Sequence, residues 1–551
     1  MKKKILAAAL VTLMFVVPLA GCAKDATAGS EDSSADGSSP SSTDADTEKE
    51  SATSDPEDTA DSGDTIKVSW AVWGDSGAVD INSDEFAKIW KEKFNVEWDL
   101  ISMSFDTWDE KVRIWANSQD LPDVVQWNYK HVDAMNYAEQ GLVKELPEDW
   151  QTKWPNTAAA FEGTELGSQL TETFGGTYFL PRPVFSSNKP TDVLVHHYGI
   201  YMRKDWIEAV GAEVKPHYSV EELMDVARLI KEQDPGNAGP NLVPIDNGLQ
   251  DLPWVFVYPM SSYSMSSYEY YKDDQGQYQW GPASEDTLEG LKYYQQAFEE
   301  GLIHPEFFVE GARNSQENFY LAGTAGMCVG PGMAQVALRF GNNFKENFDL
   351  EPEEWLNFSF ATGADGDYHS VEAPNFFGAL FFSPNIEEEK FERVMDIINY
   401  SCTDQGQHEI RMGIEGLDWE VGSDGGLVNL MEDGMTAVDK YPSIRPFYHN
   451  MYILSDDFGL INPTYPEVYR EMSANQYKEK DALATDESMG RIDWDVYFHD
   501  SDARRRTQFD LPEEYAALVV ADGDMETKWN AWVEEKMVLV QPVLDELNGN
   551  S

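Results

Sequence analysis

The chain has 551 residues, with 40 Lys+Arg against 99 Asp+Glu for a formal charge of −59, and 42 % apolar and 13 % aromatic residues. That length accommodates two to four domains of ~100–200 residues. A surface this acidic repels phosphate backbones and anionic lipid headgroups, which excludes nucleic-acid binding and adhesion to membranes through basic patches.

Lys2, Lys3 and Lys4 precede an apolar run, Ile5–Pro18, that is shorter than the ~20 residues a membrane span needs. It ends in Leu19-Ala20-Gly21-Cys22, which resembles the lipobox of bacterial lipoproteins. The resemblance implies that residues 1–22 are a signal peptide. It also implies a lipid anchor on Cys22 and a place on the extracellular face of the cytoplasmic membrane. Ala23–Thr65 holds 13 acids, 2 bases and nothing aliphatic larger than Ala. Such a segment cannot offset its ordering entropy and is expected to be a disordered, self-repelling tether suited to a Gram-positive wall. The body from Ile66 onward carries most of the negative charge itself.

Ile66–Trp73 alternates β-branched and aromatic residues and predicts a strand. A helix capped at Ser83-Asp84-Glu85 follows, with Phe86, Ile89, Trp90 and Phe94 on one face. Val96–Leu100 predicts a second strand, Asp106–Ser118 a helix buried through Trp108, Val112 and Trp115, and Asp123–Trp127 a third strand. Strands and helices in alternation imply parallel pairing in an open α/β sheet. Ligands gather at the carboxyl ends of such strands, which places Trp73, Gly74, Asp75, Trp127, Asn128 and Tyr129 on the ligand-facing edge.

Further strands are expected at 193–202, Ala325–Val329 and Ala379–Phe382. Helices are expected after Arg203, over Val220–Lys231 with Ser219 as cap, and over Glu285–Glu300, Pro384–Ser401 and about Thr527–Asn548. Three cysteines are too few for a disulfide scaffold, so Cys328 and Cys402 are expected as free buried thiols, a single bridge between them being the alternative.

Several segments are similar to extracellular solute-binding lipoproteins of carbohydrate ABC transporters. They are Leu121-Pro122-Asp123-Val124-Val125, Gly141-Leu142-Val143, Gly175-Gly176-Thr177-Tyr178, Tyr201-Met202-Arg203-Lys204-Asp205-Trp206, Glu300-Gly301-Leu302-Ile303 and Gly413-Ile414-Glu415-Gly416. The resemblance implies an α/β fold of the periplasmic-binding-protein type II kind, two lobes joined by a hinge with the ligand cleft between them. Lobe 1 would take 66–190 and 373–430, and lobe 2 would take 191–372 and 431–551. Relatives often carry an acidic calcium loop at the position of Asp234–Asn241. Here that stretch keeps one acid where a hard cation wants six to eight oxygens, so no metal or other cofactor is expected.

A sugar offers C–H faces to flat rings and hydroxyl edges to planar polar groups. Trp73, Trp127, Tyr129, Trp254, Phe376 and Trp419 are the stacking candidates. Asp75, Asn128, Arg182, His197, Arg203, Asn375 and Glu415 are the hydroxyl partners. For each ring core packing is the competing role, for Arg203 an ion pair with Asp205, and for Glu415 the ordering of its loop. Trp90, Trp115 and Trp532, on helix stripes, belong to the core.

Enzyme signatures are weak. His408-Glu409-Ile410-Arg411-Met412 has Met where a second zinc ligand must stand. The glycines from Gly323 to Gly332 lack dinucleotide-loop spacing, and Asp522, Asp524 and Glu526 read as a solvated acidic turn. The expected role is a lipid-anchored monomeric receptor, not an enzyme, that passes a neutral oligosaccharide to ABC permease subunits. The alternatives are a peptide or other solute receptor and, in another class, a secreted glycoside hydrolase or polysaccharide lyase, which needs two carboxylates ~5–9.5 Å apart.

Overall fold

The chain divides into two units, Met1–Asp61 and Ser62–Ser551. The computed structural model describes residues 65–73, 81–104, 107–184, 191, 194–246, 248–309, 315–423, 425–445, 447 and 459–549. The leader, Cys22, the tether to residue 64, Gly74 and Asp75 lie outside the described residues. No described helix is long and apolar enough to cross a membrane.

Sixteen strands occur among the described residues: β1 Ile66–Trp73, β2 Val96–Met103, β3 Val124–Trp127, β4 Leu180–Pro183, β5 Tyr198–Arg203, β6 His217–Ser219, β7 Val243–Asp246 and β8 Tyr270–Lys272, then β9 Tyr278–Trp280, β10 Ala325–Pro331, β11 Leu356–Thr362, β12 Ser370–Val371, β13 Phe376–Phe382, β14 Trp419–Val421, β15 Leu427–Asn429 and β16 Met489–Gly490. They build two five-stranded sheets, ordered β2-β1-β3-β13-β4 and β6-β11-β5-β10-β7. As expected, β1 runs parallel to β2 and β3. The exception is β13, which enters antiparallel between β3 and β4 after the chain has built the whole second sheet. It begins three residues earlier than its aliphatic run suggests. Its register shifts at Gly378, whose φ of +66° opens a bulge against the Trp127 carbonyl.

Local chemistry explains the well-read helices. Glu85–Phe94 starts where the Asp84 side chain accepts from the Ala87 amide. Its buried stripe is Phe86, Ala87 and Trp90, while Ile89 turns outward at 37 % exposure. Val220–Gln233 opens on a Ser219/Glu222 capping box and buries Leu223, Met224, Ala227 and Ile230. Glu285–Glu299 ends before Gly301, which adopts φ +63°. The helix expected from Pro384 begins only at Glu388. In the stretch Leu121–Val125, Asp123 ties two strands together, because its carboxylate accepts from the Ser69 amide and hydroxyl at the head of β3. Both described cysteines are free.

The chain passes between the sheets along segments that pair with each other. Val195 bridges Glu372 antiparallel, and the Ala373 amide donates to the Leu194 carbonyl at 2.8 Å. A third strand joins them as β12 pairs with β16, and the Glu372 amide donates to Gly490. Val184, Leu194, Val195, Phe360, Tyr368, Tyr477 and Met489 form a separate small core there. Ala437, Val438, Tyr441, Ile444 and Phe447, expected in lobe 2, instead pack into the first sheet's core with Trp70, Phe86 and Trp90.

Candidate functional site

The carboxyl ends of the parallel strands define one edge of each sheet. In the first sheet β1 and β3 end at Trp73 and Trp127. In the second, β7 ends at Asp246, and antiparallel β5 begins at Tyr198 opposite Pro331, the last residue of β10. The loop after β7 and the segment entering β5 thus share an edge. The loop carries Trp254 on the short helix Pro253–Phe256, and the entering segment is His196-His197-Tyr198.

These four rings form one cluster. The Trp254 ring stacks on Tyr198 at 5.2 Å and 18°, lies 4.8 Å from His196, and meets Tyr258 edge-on at 5.1 Å. His196 in turn stacks on His197 at 4.9 Å and 11°. All four residues are half-buried, so each keeps part of its surface accessible to water. Burial nevertheless dominates their titration. It lowers the His196 imidazole to about 3 and the His197 imidazole well below its usual range, with the Lys480 charge adding to both, and raises the Tyr198 phenol. Both imidazoles are neutral at physiological pH, and the buried Nδ1 of His196 has no hydrogen-bond partner among the described residues.

A second aromatic group flanks the same crossing. Tyr129 stacks on Tyr497 at 6.3 Å and 6°, joining the loop after β3 to the short helix Trp494–Tyr497. The Tyr268 hydroxyl donates to the Glu372 carbonyl at 2.6 Å, beside the Val195 bridge. Burial raises the phenols of Tyr268 and Tyr497, both again half-buried.

Of the residues chosen from sequence, His197, Trp254 and Tyr129 belong to these groups. Trp73 ends β1 opposite Met103, and Asn128 is half-buried directly after β3. Trp127 is a core residue at 1 % exposure, enclosed by Tyr129, Tyr137, Phe179 and Phe381 at 5.5–5.8 Å. Phe376 and Arg182 are buried in β13 and β4. Arg203 stands at the far end of β5 from His197, its Nε 2.8 Å from Asp205 and its guanidinium over the Trp206 and Phe344 rings. Asn375 holds the start of the helix Glu165–Phe174, accepting from the Glu165 amide and donating to the Gly163 carbonyl. Trp419 is 1 % exposed and donates from Nε1 to the Gly413 carbonyl, while Glu415 is exposed on that loop. Trp127, Tyr129 and Trp419 are thus buried in packing, whereas the rings of His196, His197, Tyr198 and Trp254 stay half-buried.

The sequence reading does not single out His196, Tyr198, Tyr268 or Tyr497. The run of three ring-bearing residues His196-His197-Tyr198 was the available signal. Tyr268 and Tyr497 carry none, because only the tertiary fold brings them to the crossing.

No described group of three or more His, Cys, Asp or Glu is arranged to hold a metal ion. In the loop at Asp234 both carboxylate oxygens accept backbone amides, from Ala238 and Gly239 at 2.8 Å, so the acid serves to close the turn.

The family model described as bacterial extracellular solute-binding protein matches residues 80–407. The chain belongs to that family. Its members are binding proteins of ABC transporters, not enzymes. This solute-binding protein also superposes on solved structures of low identity. The alginate-binding protein AlgQ2 without calcium ion gives a TM-score of 0.65 at 17 % identity, covering 87 % of this chain and 96 % of that one. FusA from Streptococcus pneumoniae in complex with kestose gives 0.62 at 17 %, covering 88 % and 100 %. The N-glycan transport protein NgtS from the same species, with Man1GlcNAc, gives 0.54 at 16 %, covering 88 % and 98 %. These likenesses establish the type II periplasmic-binding fold, two α/β lobes joined by a hinge. No match was found among curated protein sequences.

Proposed function

We propose that this solute-binding protein captures a neutral oligosaccharide at the lobe crossing and delivers it to ABC permease subunits. The observation that carries this reading is the half-open ring cluster of Trp254, Tyr198, His196 and His197 at the shared edge of β7 and β5. Rings of this kind cover the C–H face of a sugar. Two neutral imidazoles and the phenols of Tyr198, Tyr268 and Tyr497 are hydroxyl partners without net charge. The sugar ligands of FusA and NgtS, carried on the same fold, support the choice of ligand class. The acidity of the body favours neutral over anionic solutes at long range. Closure follows as a population shift: a ligand contacting both lobes stabilises the closed arrangement about the Val195–Glu372 crossing.

Lobe 1 in this reading comprises 66–190 and 373–447, and lobe 2 comprises 191–372 and the chain from 459. Cys22 bears the lipid that keeps the monomeric receptor on the outer face of a Gram-positive cytoplasmic membrane. Its test is incorporation of labelled palmitate into the wild type and not into Cys22→Ser.

Thermal-shift screening of the mature protein against neutral di- to hexasaccharides tests the binding role. A rise in Tm with the sugar recovered intact supports it. A response only to peptides, or turnover of the glycan, overturns it.

A further inference from the structure

A recess of about 370 Å³ opens between the hairpin strand β8 and the chain that follows β16, adjoining the crossing through Trp494, whose ring lies 5.1 Å from that of Tyr497. It is lined by Tyr263, Tyr270, Tyr271, Lys272 and the run Arg491–Asp495. Its size falls at the lower end of small-molecule sites, ~300–1,000 Å³. Tyr263 and Tyr271 are half-buried and stack on each other at 4.5 Å and 17°, apart from the large core that holds Tyr270. Trp494, also half-buried, is braced by Phe498 at 5.7 Å and 25°. The charged groups are fixed around these rings. Lys272 Nζ lies 3.4 Å from Asp493, which also accepts from the Tyr278 hydroxyl at 2.9 Å and caps the helix Trp494–Tyr497. Arg491 reaches Asp486 at 3.1 Å and Glu372 at 4.0 Å. Lys272 and Arg491 are the two cations of the lining, with Asp493 and Asp495 in it and Asp486 and Glu372 beside it.

We propose that this groove is a second saccharide site, taking one or two neutral sugar units against Tyr271 and Trp494 with Arg491 and Lys272 donating to hydroxyls. The ligand class rests on the sugar reading of the crossing site; the location does not. Occupancy touches the hinge as well, because the Ile492 amide donates to Glu372 Oε2 at 3.3 Å, and Glu372 bridges Val195.

The test uses mature protein labelled with 3-fluorotyrosine, with the resonances of Tyr198, Tyr263 and Tyr271 assigned through Tyr→Phe variants. Sucrose, maltotriose, cellotriose, kestose and mannotriose are titrated in turn. The expected result is that at least one sugar shifts Tyr263 and Tyr271. Arg491→Gln should weaken that response about tenfold, the loss of one hydrogen bond to a charged group. Tyr271→Ala, with unchanged circular dichroism, provides a second variant. Shifts confined to Tyr198 overturn the groove and leave the crossing site standing. Shifts at the groove that neither variant weakens overturn the assigned contacts, and silence at all three tyrosines overturns both sites.

Discussion

Lys480 Nζ, on the helix Glu467–Leu483, donates to the carbonyl of His196 at 3.0 Å and to that of Tyr198. The lysine is wholly buried among the rings of Phe358, Phe360 and Tyr368 with no carboxylate partner among the described residues, and burial holds its ammonium well below the usual lysine range. It is thus the fastening of the backbone that presents the ring cluster.

Lys480→Met leaves two carbonyls without that donor, at about 1–3 kcal/mol for each buried group left unsatisfied, partly offset by removing the desolvated amine. Net destabilisation and weaker sugar binding are expected. The folded pKa lies below the unfolded value, so the unfolded state binds more protons and wild-type stability rises with pH up to about 10.4. Urea denaturation at pH 7 and pH 10 should show the gap between wild type and variant widening with pH. A gap that stays constant removes Lys480 titration from the account.

Trp127 and Trp254 should separate in their failures. Trp127→Ala empties a core site and costs about 3–5 kcal/mol. Trp254→Ala should cost less stability but lower sugar affinity tenfold or more, about 1.4 kcal/mol or above. Paired calorimetry and denaturation distinguish them; equal loss of stability in both would place Trp254 in the core.

Acid should weaken the fold before it protonates the His196 imidazole. Burial lowers His131 to about 4 and His196 to about 3, whereas unfolded histidine titrates near ~6.5. The unfolded state therefore takes up protons that the native state refuses, and stability falls as pH drops from about 6.5 towards 4, by up to about 1.4 kcal/mol per pH unit for each group. Sugar affinity of the folded protein should be flat from pH 8 to pH 6. Replacing His131 with Gln should flatten the acid limb of a Tm-against-pH curve.

Gly378 is the bulge that lets β13 reach β4. A Cβ there would lie 2.7 Å from the Trp127 carbonyl oxygen at a φ of +66°. Gly378→Ala is expected to cost at least the ~1–2 kcal/mol of a left-handed residue, measured by denaturation. A neutral result would show that the bulge relaxes freely.

What could be read in advance shares one property: it is local. The Ser219/Glu222 box, the Asp84 cap and the end of a helix before Gly301 involve groups a few residues apart, so their energetics are written in the neighbouring sequence. The strand–helix alternation from Ile66 to Trp127 implied the parallel pairing of β1 with β2 and β3 for the same reason. The insertion of β13 was not readable, because some two hundred residues of the second lobe intervene between β4 and its return.

Trp127 and Trp254 are both stacking candidates by residue type, the one ending β3 and the other on the short helix Pro253–Phe256. The first is closed in by Phe179 and Phe381, brought by β4's approach and β13, and the second is left half-open beside a segment fastened by Lys480. Arg203 forms the ion pair with Asp205 that was its alternative role, and Asn375 holds a helix start, since a planar polar side chain serves either as readily as a sugar hydroxyl.

The charge of −59 and the ring-rich composition by themselves argue against nucleic-acid and membrane-surface binding and for a large core, and the strand–helix alternation gives its α/β class. Which rings stay open, and which polar groups face them, was decided only in the tertiary structure. Burial depends on the packing of segments hundreds of residues apart, and no local pattern encodes that sum.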